Sequence, residues 1–151
     1  MNTIQKVNLN SYIEQLILIY PQIKSVWLIG SRANNSFSEN SDWDLLAFAD
    51  EQTLNQLGQN AKFKHDCIDL LVVYDHNHFR KPWTDSARGE NLKSGSLKKW
   101  KWRELNSELA QYESSDEKIF YDSYDEGIYT PKSKVLKAHK IWPIVTIKVS
   151  N

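Results

Sequence analysis

Ile23-Lys24-Ser25-Val26-Trp27-Leu28-Ile29-Gly30-Ser31-Arg32 and, with ten residues separating it from Ser31, Asp42-Trp43-Asp44-Leu45-Leu46-Ala47-Phe48 decide how this chain is read. The first stretch is a short run of apolar and β-branched residues ending on glycine, which predicts a strand over 23–29 and a turn at Gly30. The second predicts another strand over 42–48. Alternate side chains of a strand share a face, so Asp42 and Asp44 point the same way. Two carboxylates on one face at a strand start repel each other unless something neutralises them. A divalent cation is the natural solution. Mg²⁺ takes hard oxygen ligands and often uses one or two carboxylates together with substrate phosphates.

Working outward, Ser11 followed three residues later by Glu14 has the capping-box pattern and predicts a helix start. Tyr12, Ile13, Leu16, Ile17 and Tyr20 recur at helical spacing, and Pro21 stops the run. Residues 31–41 are small and polar and read as a loop with a helical turn or two. Asp50 to Gln59 reads as a short helix through Leu54 and Leu57, and Cys67 to Tyr74 is the strongest strand signal. Asp69 lies inside that apolar run, where an acid is expensive to bury alone. With its strand beside the second, Asp69 completes a triad of carboxylates; Asp66 is the competing third acid. After the first strand, Gly30 lets backbone N–H groups approach an anion, and Ser31 offers a hydroxyl. Arg32 reads equally as a solvated residue or an inward-pointing clamp. Metal ligands beside a phosphate cradle are the parts for phosphoryl or nucleotidyl transfer.

This arrangement resembles the nucleotidyltransferase superfamily of the DNA polymerase beta type, especially its small members. The family pattern is an apolar strand, Gly-Ser, a spacer, acid-apolar-acid-apolar, and a third acid on a later strand, met here by Gly30, Ser31, Asp42, Asp44 and Asp69. The resemblance covers about residues 12–75. It implies an α/β (α+β) fold, a mixed sheet with helices on one face. It also implies that Asp42, Asp44 and Asp69 are the catalytic metal ligands for Mg²⁺ (or Mn²⁺), and that Gly30, Ser31 and Arg32 bind the nucleotide. The implied reaction is transfer of a nucleoside monophosphate from a nucleoside triphosphate, ATP first, to a hydroxyl, releasing pyrophosphate. Relatives often carry Gly where this chain has Asn35, the non-glycine residue best suited to a left-handed turn. They carry Ile, Val or Leu where it has Trp43, whose side chain is expected to face away from the carboxylates and pack under helices.

The second half is less regular. Residues 76–95 read as loop with a short helix, 98–105 as a strand with Trp100 and Trp102 on one face, and 109–112 as the returning arm of a hairpin. Apolar residues over 135–149 suggest a final strand at 144–149. The expected division is a catalytic core over 1–75 and an aromatic, β-rich extension over 76–151 packed on it, with one continuous domain as the alternative. The two His of His76-Asn77-His78 read better as a polar loop than as metal ligands, because no third ligand has fitting spacing. Bases interleave with aromatics at Arg80-Lys81-Pro82-Trp83 and across 98–103. That pattern suits a single-strand platform, but Trp in the core with Lys outside explains it better.

Composition frames these readings. The chain has 151 residues and a formal net charge of +0, which suits one domain with a real core. The zero hides zoning: residues 1–75 carry 5 basic and 9 acidic side chains, and residues 76–151 carry 14 and 10. Arg80 to Arg103 alone is net +6, and Glu104 to Glu126 is net −7, so local fields exist that the sum conceals. The single cysteine, Cys67, suits a reducing compartment. Lack of a signal-peptide pattern or apolar span predicts a soluble, cytoplasmic protein with no membrane partner. A small molecule or a protein is the favoured acceptor over nucleic acid, since there is little room for a template-binding domain. The alternatives are an antitoxin-like partner of a toxin protein and a non-catalytic nucleotide-binding module.

Overall fold

The computed structural model describes residues 8–35, 41–83, 94–114 and 134–143. Its elements run α1 (Leu9–Ile19), β1 (Ser25–Ile29), a 3₁₀ turn (Ser31–Ala33), β2 (Trp43–Phe48) and α2 (Glu51–Gly58). A second 3₁₀ turn (Ala61–Phe63) leads to β3 (Ile68–Val73), β4 (His78–Arg80) and β5 (Ser94–Ser96). β6 (Arg103–Glu104), β7 (Leu109–Ser114) and β8 (Lys134–Trp142) complete the order. The strands form one eight-stranded sheet in the order β5-β4-β3-β2-β1-β8-β7-β6. Among the described strands, only β2 and β3 pair in parallel. A parallel pair needs a crossover connection, and α2 supplies it. The fold is therefore a mixed α+β sheet into which strands from both halves of the chain are woven.

Strand alternation divides the sheet into two faces. Val26, Leu45, Ala47, Ile68, Leu70 and Val72 lie on one face, packed with Ile13, Leu16 and Tyr20 of α1 and Leu54 and Leu57 of α2. Both helices thus cover the same face. Trp27, Ile29, Leu46, Leu71 and Val73 point to the other, where they meet Phe79, Leu97, Tyr112 and the rings of Trp100 and Trp102. Among the described residues, that second layer is built from strand and turn side chains rather than from a helix. Trp27 meets Trp102 edge-on at 5.2 Å between centroids, and Trp100 stacks on Tyr112 at 5.1 Å. Such pairs add about 0.5–1.5 kcal/mol beyond the area they bury.

Several expectations need correction. α1 is capped by Asn8, whose side chain accepts from the Ser11 N–H; Ser11 sits inside the helix. Asn caps as well as Ser, and the earlier start also packs Leu9 against the core. Where a loop with a short helix is expected over 76–95, the described residues form β4 and the start of β5, and 84–93 lie outside the described residues; each strand is three residues long. That length is too short for periodicity to register. They pair closely because Gly95 lies against the Phe79 ring, where a Cβ would come within 2.8 Å of Cζ. Residues 98–102 form a helical-type turn rather than a strand. The Trp102 N–H reaches Leu97 O and the Lys101 N–H reaches Lys98 O, the bonding of a helix C-terminus. The two tryptophans still enter the apolar layer while Lys98, Lys99 and Lys101 stay exposed, so the reading of Trp inside and Lys outside holds on a different backbone. The final strand is β8; the expected strand at 144–149 and the acidic stretch at 116–126 lie outside the described residues.

Candidate active site

β1 delivers the chain to Gly30, which has φ +74° and ψ −156°, a conformation for which glycine is suited. A Cβ there would fall on the Asp44 Oδ2. The bare backbone of Gly30 is therefore what lets the Asp44 carboxylate lie against the turn. The 3₁₀ turn that follows is closed by Ala33 N–H to Gly30 O and Asn34 N–H to Ser31 O, both at 3.1 Å. Asn34 ties it to the sheet. Its Nδ2 donates to Gly30 O at 2.8 Å and to Lys137 O at 3.0 Å, while its Oδ1 accepts from the Lys137 N–H. Asn35 adopts φ 57°, the left-handed conformation expected for it.

Asp44 and Asp69 are direct register partners across the parallel β2–β3 pair, on strands about 4.8 Å apart. Alternation puts both on the face opposite the helices, near the starts of β2 and β3 and beside the end of β1. Asp42 shares the parity of Asp44 but stands exposed, just ahead of β2. Trp43 turns to the other face and packs against the helix-side core, as the alternation requires. The Arg32 guanidinium lies 4.1 Å over the Trp43 ring, and its Nε donates to Ser41 O at 3.0 Å. It clamps the neck of the loop that delivers Asp42 and Asp44.

Three participants carried no sequence signal for this site. Lys81 Nζ lies 3.4 Å from Asp69 Oδ1 and sets a positive charge against it. Asn34 anchors the turn as described. Tyr112, buried in β7, accepts the Gly30 N–H on its hydroxyl at 2.8 Å. Burial first, and the Asp44 charge in addition, push its phenol up to about 12, with the Gly30 hydrogen bond acting in the opposite sense. The Gly30 N–H is thus engaged by Tyr112, and Gly30 serves the cradle through its missing side chain rather than through that donor.

The donor set bears on metal binding. Among the described residues no three His, Cys, Asp or Glu side chains are gathered into a ready cage. The paired carboxylates of Asp44 and Asp69 nevertheless suit a hard cation that takes one or two carboxylates and completes its shell with water and phosphate oxygens.

Residues 11–67 match the family model described as Polymerase beta, Nucleotidyltransferase. This segment is a nucleotidyltransferase domain of the DNA polymerase beta type. The matched residues run from within α1 to just past the second 3₁₀ turn and include Gly30, Ser31, Arg32, Asp42 and Asp44. Such a domain implies a nucleoside triphosphate substrate, and the family generally uses divalent metals. The match stops two residues before Asp69, so the place of that acid beside the nucleotidyltransferase motif rests on its register with Asp44. No curated protein and no solved structure matches the chain significantly.

Proposed function

We propose that this chain is a metal-dependent nucleotidyltransferase that moves a nucleoside monophosphate from a nucleoside triphosphate, ATP first, to a hydroxyl on a small molecule or protein. The observation that carries the reading is the register pairing of Asp44 with Asp69 beside the Gly30 turn. Asp44 and Asp69, with Asp42 one alternation step away, would hold Mg²⁺ or Mn²⁺. Bound there, the cation supplies neutralisation of triphosphate charge and alignment of the phosphates. Ser31 offers its hydroxyl and backbone N–H to the triphosphate tail. Arg32 steadies the loop of the acidic motif.

The acceptor hydroxyl attacks the α-phosphorus. An oxygen–phosphorus bond forms, the bond to the bridging oxygen breaks, and pyrophosphate leaves with that electron pair. The Asp69 carboxylate takes the hydroxyl proton, with Lys81 beside it as counter-charge. The proposed arrangement is a catalytic core in 1–75 supported by 76–151, working in the cytoplasm. Incubation with labelled nucleoside triphosphate, Mg²⁺ and a fractionated acceptor pool should yield a labelled product that Asp44→Asn abolishes. Equal labelling by the variant sinks the assignment.

A further inference from the structure

A second concavity lies at the opposite end of the carboxylate-bearing face. It encloses about 480 Å³ and opens to solvent, a volume in the range of small-molecule sites. One wall is Phe48, the last residue of β2. Phe48 shares the parity of Asp44 and lies about 13 Å along the strand from it, at about 3.3 Å per residue. The Trp100–Tyr112 stack belongs to the same layer.

The lining combines two chemistries. Phe48 and Trp102, 5.8 Å apart between centroids, form a continuous aromatic wall. Lys98, Lys101 and His76 add cationic or polar groups around it, against Glu104 in the lining and Glu113, whose Oε1 stands 3.8 Å from the exposed Lys101 Nζ. The Trp102 indole N–H points toward Glu104, at 3.4 Å from its Oε2.

The frame is fixed by two tight turns. In one, Asp75 Oδ1 accepts the N–H groups of Asn77 and His78. The other is the helical-type turn at 97–102. Asn77 joins them: its carbonyl accepts the Leu97 N–H at 2.7 Å and its Oδ1 accepts the Lys98 N–H at 3.0 Å. His76 at φ 71° and Lys101 at φ 53° are two of the three non-glycine residues with positive φ among those described, and both line this cavity. Lys101 occupies the position after a helical turn that glycine ordinarily fills. A bulky side chain there costs backbone energy, and strain of this kind collects at ligand sites.

The structure assigns to this cavity a binding site for a small anion carrying a planar ring, of the nucleoside monophosphate class. The ring lies on the Trp102–Phe48 wall, and the oxyanion is held by Lys98 and Lys101 at the mouth. The site needs neither the metal nor the carboxylates, so it stands apart from the transfer chemistry.

The test is residue-resolved NMR of the whole chain in EDTA, titrated with adenosine 5′-monophosphate, adenosine and inorganic phosphate. The monophosphate should shift the amides of His76, Lys98 and Lys101 and the Trp102 indole, binding at least tenfold tighter than either fragment. Lys98→Glu and Lys101→Gly should each weaken it at least tenfold. Lys101→Gly should melt no lower than the wild type, since glycine fits the left-handed backbone, which separates lost binding from lost folding. Shifts confined to Gly30 and Ser31, no shifts at millimolar probe, phosphate binding as tightly as the monophosphate, or unchanged binding by Lys101→Gly would each overturn the assignment.

Discussion

The two faces of the sheet are built from different kinds of sequence. The helix-covered face takes its partners from α1 and α2, whose apolar residues recur every three or four positions. The aromatic face takes its cover from single side chains scattered over 79–138. Yet the carboxylates belong to the aromatic face. The site is therefore laid out by the first half of the chain and braced by the second, through Tyr112 on Gly30 and Lys81 on Asp69. The helix face should govern stability, and the aromatic face should govern chemistry.

The largest expected effect is on Asp69. Asp69→Asn should lower kcat/KM on the order of 10³-fold, about 4 kcal/mol, as expected for a lost general base and ligand. Its melting temperature should hold, because the carboxylate lies near the start of β3 with part of its surface open to solvent and Asn keeps its shape. Steady-state kinetics beside a thermal melt checks both halves. On the other face, Leu16 is fully buried. Leu16→Ala should cost about 3 kcal/mol of stability in urea titration and leave kcat per folded molecule unchanged. A large fall in that kcat would break the division between the faces.

Tyr112→Phe sharpens the same comparison. It removes only the oxygen that accepts the Gly30 N–H, at a stability cost of about 1–2 kcal/mol. Turnover should fall about tenfold, as for other outer-shell partners, although Tyr112 lies outside the motif. A stability loss with intact turnover would make Tyr112 a packing residue alone.

The smallest effect is at the α2 cap. Asp50 accepts the Thr53 N–H at 2.8 Å, and hydrogen bonding from Thr53 holds its carboxyl below the usual aspartate range. A folded-state pKa below the unfolded one means the contribution is complete above roughly pH 4 and is lost as pH falls through the lowered value. Asp50→Ala should cost about 1 kcal/mol at neutral pH, and Asp50→Asn less. The difference between wild type and Asp50→Ala should shrink on acidification; a constant difference would remove the ionised cap.

This contrast explains what could be read from the residues alone. β1, β2, β3 and both helices were legible because their patterns are local. Trp43 facing the helix side and Asn35 in a left-handed turn followed from strand alternation and side-chain chemistry. β4, β5 and the turn at 97–102 were not, since three-residue strands carry one buried side chain each and a Schellman turn spaces two tryptophans as a strand would. Tyr112 and Lys81 had no local signature that tied them to the site. Each reaches the site only because β7 adds beside β8, and β4 beside β3, in the same sheet.

The most direct test of nucleotidyl transfer follows the phosphorus. Parallel reactions with α-³²P- and γ-³²P-labelled ATP, Mg²⁺ and the acceptor fraction should place the α label on the acceptor and release the γ label as pyrophosphate. Transfer of the γ label to the acceptor, or release of orthophosphate in its place, would contradict the account.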